Sequence, residues 1–423
     1  MASKTKKLLD YSSLLIISGF YLVITVPNFF TSIYAEDGAR YLQDALDTGG
    51  FTNIFKTLAG YGDVPARIIA AIASLTPPDW YPISLGILTI VAVALCVIVI
   101  FDSVLPILKN KILSYLFACF LLVLPIARFE SIGNVTNLHF YFFTSSAFIL
   151  LHFLFTGKIS IFQGAFILFA ALSVPLTLFL FVFLFYKGNL RKHFGLDFRS
   201  LLINPFIILG AGSLINIYIS WGDSSSRAPR SLNSILKVAY LYLDRIIGST
   251  FIPLWGRVYS DKDGVVISNS IFNLIGVRLI AASLIFILLL LFSFKLNKDS
   301  RNFALFLLGI SVLFGVLLGF FFNLEPRYCI FPSYLLAFVL FFIISSQKKR
   351  WLEPIVLILL LLLTVNASSD TASRQNSNDW RGQVVIAREK CQNNGTLENV
   401  RIRIAPFRAD AYWSIRLPCS TLN

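Results

Sequence analysis

Long, nearly uninterrupted apolar runs recur along most of this 423-residue chain, and nothing in it constrains folding more. They lie at roughly 11–27, 81–101, 112–127, 138–155, 200–220, 272–294, 303–323, 328–346 and 351–367. A helical run of this kind crosses about 30 Å of hydrocarbon. Backbone N–H and C=O groups in lipid must bond within their own segment, so such runs are expected as helices. Their apolar residues are continuous rather than alternating, which excludes a transmembrane β-barrel. With 57% hydrophobic residues, 14% charged residues and a mean hydropathy of +0.76, the chain reads as a polytopic membrane protein.

Two stretches need separate treatment. Residues 159–187 carry Ser173-Val174-Pro175 at their middle and lysines at both ends, predicting a hairpin of two short helices that turns at the proline. Residues 64–77 are apolar but too short to span, and predict an amphipathic helix lying at the outer interface. The expected fold is therefore an all-α integral membrane bundle of about 10–11 transmembrane helices, residues 1–367, followed by a small external tail, 368–423.

Orientation follows from the short loops, because cytoplasmic loops retain lysine and arginine. Lys4, Lys6 and Lys7 place the amino terminus inside. Counting spans from there puts Lys109/Lys111, Lys158, Lys187/Arg191/Lys192, Lys295/Lys298/Arg301 and Lys348/Lys349/Arg350 on that same side. Segments 28–80, 128–137, 221–271, 324–327 and the tail are then external. The first run is long and lacks a small-x-small cleavage site before Ala35, so it reads as a retained signal anchor. Of the net charge of +14, +11 falls inside, so the basic balance is a topogenic signal and not a nucleic-acid footprint. Twelve of 16 lysines are inside and 16 of 20 arginines outside, and guanidinium forks suit phosphate and carboxylate partners.

Cys391 and Cys419 fall in the external tail, where two cysteines in an oxidising compartment predict one disulfide. A tail of 56 residues buries little core unaided, so a disulfide-closed unit is expected, with a helix at 380–389 and strands at 400–404 and 413–417. No Walker loop, dinucleotide fingerprint or zinc or haem spacing is present.

Candidate chemistry concentrates in the external loops. Glu36-Asp37 follow the first span and read either as a base with its neighbour, able together to hold a divalent cation such as Mg or Mn, or as caps of a helix over 38–46. Tyr61 and Arg67 come next, and Arg67, in an apolar helix, requires an anion such as Asp37 or a lipid phosphate. The loop after the third run supplies Arg128, Asn134, Asn137 and His139, suited either to sugar hydroxyls or to bonding between helices. Arg327-Tyr328 begin a late span at the level of lipid phosphate.

Together the acidic pair, the interfacial helix with Gly60-Tyr61 and Arg67, Asn137-Leu138-His139-Phe140-Tyr141, Arg327-Tyr328 and a tail with Trp380, Cys391 and Leu417-Pro418-Cys419 resemble bacterial membrane proteins of the GT-C glycosyltransferase superfamily. The resemblance implies an inverting enzyme of the bacterial inner membrane. It takes a sugar from a polyprenyl-phosphate donor and passes it to an envelope glycan or lipid acceptor on the outer face. Asp37 or Glu36 is then the essential acid; Arg67, Arg128, Arg327 and Tyr328 bind the donor phosphate; and Tyr61, Asn134, Asn137 and His139 contact sugar or acceptor. Two rivals are a lipid-linked-sugar flippase or transporter, which wants charge in mid-span, and an O-antigen ligase or polymerase, which wants histidine in a large external loop. The central thirds of the runs are nearly free of charge, and 221–271 has arginines but no histidine.

Overall fold

The computed structural model describes residues 2–58, 60–124, 132–186, 204–221, 233–251, 275–322, 324, 326–347, 354, 357–358, 374, 379–405 and 413–422. Within them the chain is a helical bundle with one two-stranded sheet in the tail. The helices are α1 (Ala2–Thr25), α2 (Gln43–Thr48), α3 (Val64–Ser74), α4 (Tyr81–Leu108), α5 (Lys111–Val123), α6 (Leu138–Thr156) and α7 (Ile161–Ser173). There follow α8 (Pro205–Ser220), α9 (Ile235–Leu241), α10 (Ile275–Phe294), α11 (Lys298–Phe322), α12 (Ile330–Ser346) and, in the tail, α13 (Trp380–Asn393).

Five described helical segments are long and apolar enough to cross a membrane, and six more apolar helices are shorter. Of the run at 112–127, the helix α5 ends at Val123, where Leu124 leaves helical backbone at ψ 115°. The break expected near Pro175 is present: Val174 is extended at φ −142°, and the chain continues as a 3-10 helix, Pro175–Phe185, rather than a second α-helix. A proline following an extended residue satisfies its steric demand there. Arg128 and most of 351–367 lie outside the described residues.

α6 and α12 form the centre and are buried on nearly every side, as helices apolar all round must be. Lipid gives no hydrophobic drive for helices to associate, so close packing has to hold them together. Aromatic side chains supply it: Tyr334 stacks on Phe117 at 4.4 Å and donates its hydroxyl hydrogen to the Phe117 carbonyl at 2.7 Å. Phe331 meets both Phe143 and Phe314 edge-on at 4.9 Å. At one end, Lys7 and Tyr11 bind Asp102 while Lys111 binds Asp10 at 2.8 Å, tying α1 to α4 and α5.

At the opposite end, the segment between α1 and α4 packs under the tail. α3 is not laid on a surface. Its alanines, Ala66, Ala70, Ala71 and Ala73, permit close approach to α4, α6 and α7, so Arg67 is carried inside. In the tail, β1 (Asn399–Arg403) and β2 (Ser414–Pro418) pair antiparallel with Val400 opposite Leu417 and Ile402 opposite Ile415. Their alternation buries one face against Trp380, Val384 and Ala387 of α13. Cys391 and Cys419 are bonded, joining α13 to the end of β2.

The tail is sewn to the loop after α1. Ala35 N–H donates to the Ala405 carbonyl at 2.5 Å, Ala405 N–H to Ile33 at 3.1 Å, and Trp380 N–H to Thr31 at 2.9 Å. Arg388 pairs with Asp79 at 3.1 Å and Arg416 with Asp47 at 3.3 Å. Gly38 sits at the seam: a β-carbon there would lie 2.6 Å from side-chain atoms of both Ile33 and Ile404. A side chain at this position would push strand and loop apart.

Candidate functional site

Two fully buried carboxylates from the loop between α1 and α3 converge on the amino-terminal end of α6. The first is Asp37, 3% exposed, opening a π-helical turn, Asp37–Leu42, that runs into α2. A helix at this position is expected from the sequence, but neither Glu36 nor Asp37 caps it. Asp37 instead reaches across to the 3-10 turn Val135–Asn137 that leads into α6. Its Oδ1 accepts Thr136 N–H at 2.8 Å and the Thr136 hydroxyl at 2.6 Å, and Oδ2 accepts Val135 N–H at 3.0 Å. The free amides at a helix start form an anion site, and here a carboxylate of the same chain fills it.

Arg374 completes this centre. It is 5% exposed, stands 3.9 Å from Asp37 Oδ2, lies over the Tyr34 ring at 5.2 Å, and donates to the Gly133 carbonyl at 3.3 Å and Asn134 Oδ1 at 2.6 Å. Burial raises the Asp37 carboxyl above the ordinary carboxylate range, opposed by Arg374 and the bonds from Thr136 and Val135; burial likewise lowers Arg374. A narrow cleft lined by Tyr34, Asp37, Gly86, Gly133 and Arg374 opens beside the pair.

The second acid is Asp63, 0% exposed, at the residue before α3. Its backbone is left-handed, φ 48° and ψ 47°, a conformation costing a non-glycine residue about 1 kcal/mol or more. Neighbours hold it there: Asp63 N–H donates to Ser173 at 3.3 Å, and Gly62 N–H donates to Asn216 Oδ1 at 3.2 Å. Its Oδ2 accepts the Tyr41 hydroxyl at 2.5 Å and lies 3.4 Å from His139 Nδ1. Burial and the adjacent Asp63 push the Tyr41 phenol well above its ordinary range, so it stays a donor. Among the described residues, Asp63 Oδ1, His139 Nδ1 and Arg67 Nε are enclosed without a hydrogen bond. Leaving such a group unpaired costs about 1–3 kcal/mol, and each instance in a native protein calls for an explanation.

Several residues singled out in the sequence come together here. His139 lies 5.3 Å from the Tyr61 ring and 4.2 Å from Phe140, which meets Tyr328 edge-on at 5.4 Å, and the Arg327 guanidinium lies 5.5 Å from the Tyr328 ring. Asn137 is buried at the start of α6. Arg67 sits over Tyr41 at 5.2 Å and binds Asp44, rather than Asp37, at 3.1 Å; Asp44 also binds Lys56. Asn134 is taken by Arg374. Glu36 is half-buried beside Asp37. Hydrogen-bond donors and Arg374 face the oxygens of Asp37, and no group of three His, Cys, Asp or Glu that could hold a metal ion occurs among the described residues.

Sequence reasoning did not reach Arg374, Tyr41, Asp44 or the role of Asp63. The signals for two of them are faint but present. Arg374 is the one cation between Ser368 and Asp379, and Asp63 closes a Gly-Tyr-Gly-Asp turn directly before Val64-Pro65, where a helix must start. Compared with known proteins, the chain matches no family model and no curated protein sequence.

Proposed function

We propose that the protein is a membrane glycosyltransferase of the bacterial inner membrane. In this reading it moves a sugar from a polyprenyl-phosphate donor to an envelope glycan or lipid acceptor on the outer face, with the amino terminus in the cytoplasm. One observation carries it: two fully buried carboxylates, one facing Arg374 and the other His139, are held at the start of a single helix at one end of an apolar bundle. The chemistry needs a carboxylate to take a hydroxyl proton, cations to meet the departing phosphate and an apolar wall for the isoprenoid. Arg327 is the cation assigned to the phosphate, because it stands beside Tyr328 in the turn that leads into the spanning helix α12. A flippase is less well supported, because the ion pairs between described residues lie at the ends of the spanning helices and in the loops and tail beyond them, and none is at mid-span.

The test is transfer of a radiolabelled sugar from a panel of polyprenyl-phosphate sugars by purified protein in detergent, beside a liposome assay for lipid flipping. Product carrying the label supports the proposal; flipping without transfer overturns it. A second expected outcome concerns Arg327→Lys, which replaces a planar fork with a point donor and should raise the apparent KM for donor about tenfold. An unchanged KM in both Arg327→Lys and Arg327→Ala removes that residue from the phosphate site.

A further inference from the structure

The two buried acids differ in what is left for a ligand. Each oxygen of Asp37 already has partners: Thr136 gives two hydrogens to Oδ1, and Val135 and Arg374 face Oδ2. Asp63 is bonded on one side alone. Tyr41 and His139 attend Oδ2, while Oδ1 is enclosed and without a hydrogen bond among the described residues. His139 Nδ1, 3.4 Å from Oδ2, is enclosed and without a hydrogen bond as well, and so is Nε of Arg67, whose backbone N–H donates to the Asp63 carbonyl at 3.2 Å. Asp63 reaches this position through a left-handed backbone that a glycine would adopt more cheaply. Buried polar atoms without partners, strain at the residue that bears one of them, and a neighbouring imidazole mark a site built for a hydroxyl-bearing ligand.

Resting on the sugar-transfer reading, we propose that Asp63, positioned by Tyr41 and His139, is the group that accepts the proton of the acceptor hydroxyl, and that Asp37 is a positioning residue which fixes α6 beneath it. In the step, the hydroxyl proton passes to Asp63 Oδ1 and the hydroxyl oxygen bonds to the anomeric carbon. The bond from that carbon to the phosphate oxygen breaks, and its electron pair leaves on the polyprenyl phosphate.

The experiment compares Asp63→Asn with Asp37→Asn in the full-length protein, measuring sugar transfer, thermal stability in detergent, and mass-mapped modification of the wild type by dicyclohexylcarbodiimide, a hydrophobic reagent for carboxyls. Asparagine at 63 keeps an acceptor for Tyr41 and replaces the carboxylate oxygen that has no hydrogen bond. Transfer should therefore fall about 10²–10⁴-fold with no loss of melting temperature. Asp37→Asn should lower the melting temperature. Wild-type transfer by Asp63→Asn overturns the proposal, as does a drop in its melting temperature as large as that of Asp37→Asn, which would make Asp63 structural or bonded to internal water only. If the wild type transfers no sugar, the transfer reading itself fails. The carbodiimide then decides the site: modification of Asp63 in preference to Asp37 supports a reactive acid open to ligand, and equal or absent modification overturns it.

Discussion

Arg374→Met should destabilise the purified protein by about 3–5 kcal/mol, since removing one member of a buried ion pair leaves an uncompensated charge. Methionine fills much of the arginine's volume, so the loss reports charge and hydrogen bonding rather than a cavity. Asp37 would remain buried with neutral donors alone, and Gly133 and Asn134 would each lose a guanidinium donor. Unfolding in detergent followed by tryptophan fluorescence measures the effect. The double variant Asp37→Asn/Arg374→Met should be less destabilised than the sum of the singles, because both act on one interaction.

The pH dependence of Arg374→Met has a definite sign. Burial holds the Asp37 carboxyl above its ordinary range, and Arg374 opposes that rise. Without the arginine it rises further, so the folded state binds a proton that the unfolded state releases from about pH 4 upward. A group whose folded pKa is raised gives stability below the unfolded value and loses it as pH climbs through the folded value. The deficit of Arg374→Met should shrink on acidification toward pH 4 relative to pH 7. A deficit of the same size at both pH values would show that Arg374 acts through packing.

Much of this architecture is legible in the sequence because local rules decide it. Apolar continuity gives the helices, Val174-Pro175 forces a break, and alternation around Val400 and Ile415 gives the two strands. The acid-bearing loop, His139 and Tyr61 are legible as polar groups beside apolar spans, where charge persists only with a partner. Partner identity is not legible. Arg67 chooses Asp44, 23 positions away, over Asp37, and Arg374 meets Asn134 across 240 positions. Spacing carries no information at such separations, and the choice is made by which elements pack. The interfacial helix illustrates the same limit. Its short apolar run flanked by charge fits a surface, while its alanines equally fit tight burial, and the bundle takes the second option.

The second large effect is at the tail, whose stability depends on closing a loop. Cys391 and Cys419 are 28 residues apart, and a cross-link of that separation contributes about 3.5 kcal/mol in the chain-entropy model. The described part of the tail offers a two-stranded sheet and one α-helix, too small a core to stand without it. Cys391→Ala/Cys419→Ala should therefore unfold the tail at a lower temperature than the bundle, seen as early proteolysis within 379–422 and a separate first transition on heating. The consequence extends to the buried acids. Ala405 and Ile404 of the tail hold Ala35 and Gly38, which flank Asp37, so a loosened tail should free the turn that aims Asp37 at Thr136. Cysteine introduced at Ser32, buried in the intact protein, measures this through its rate of alkylation. Faster labelling when the disulfide is absent is the expected result, whereas equal rates would mean that the loop holds Asp37 without help from the tail.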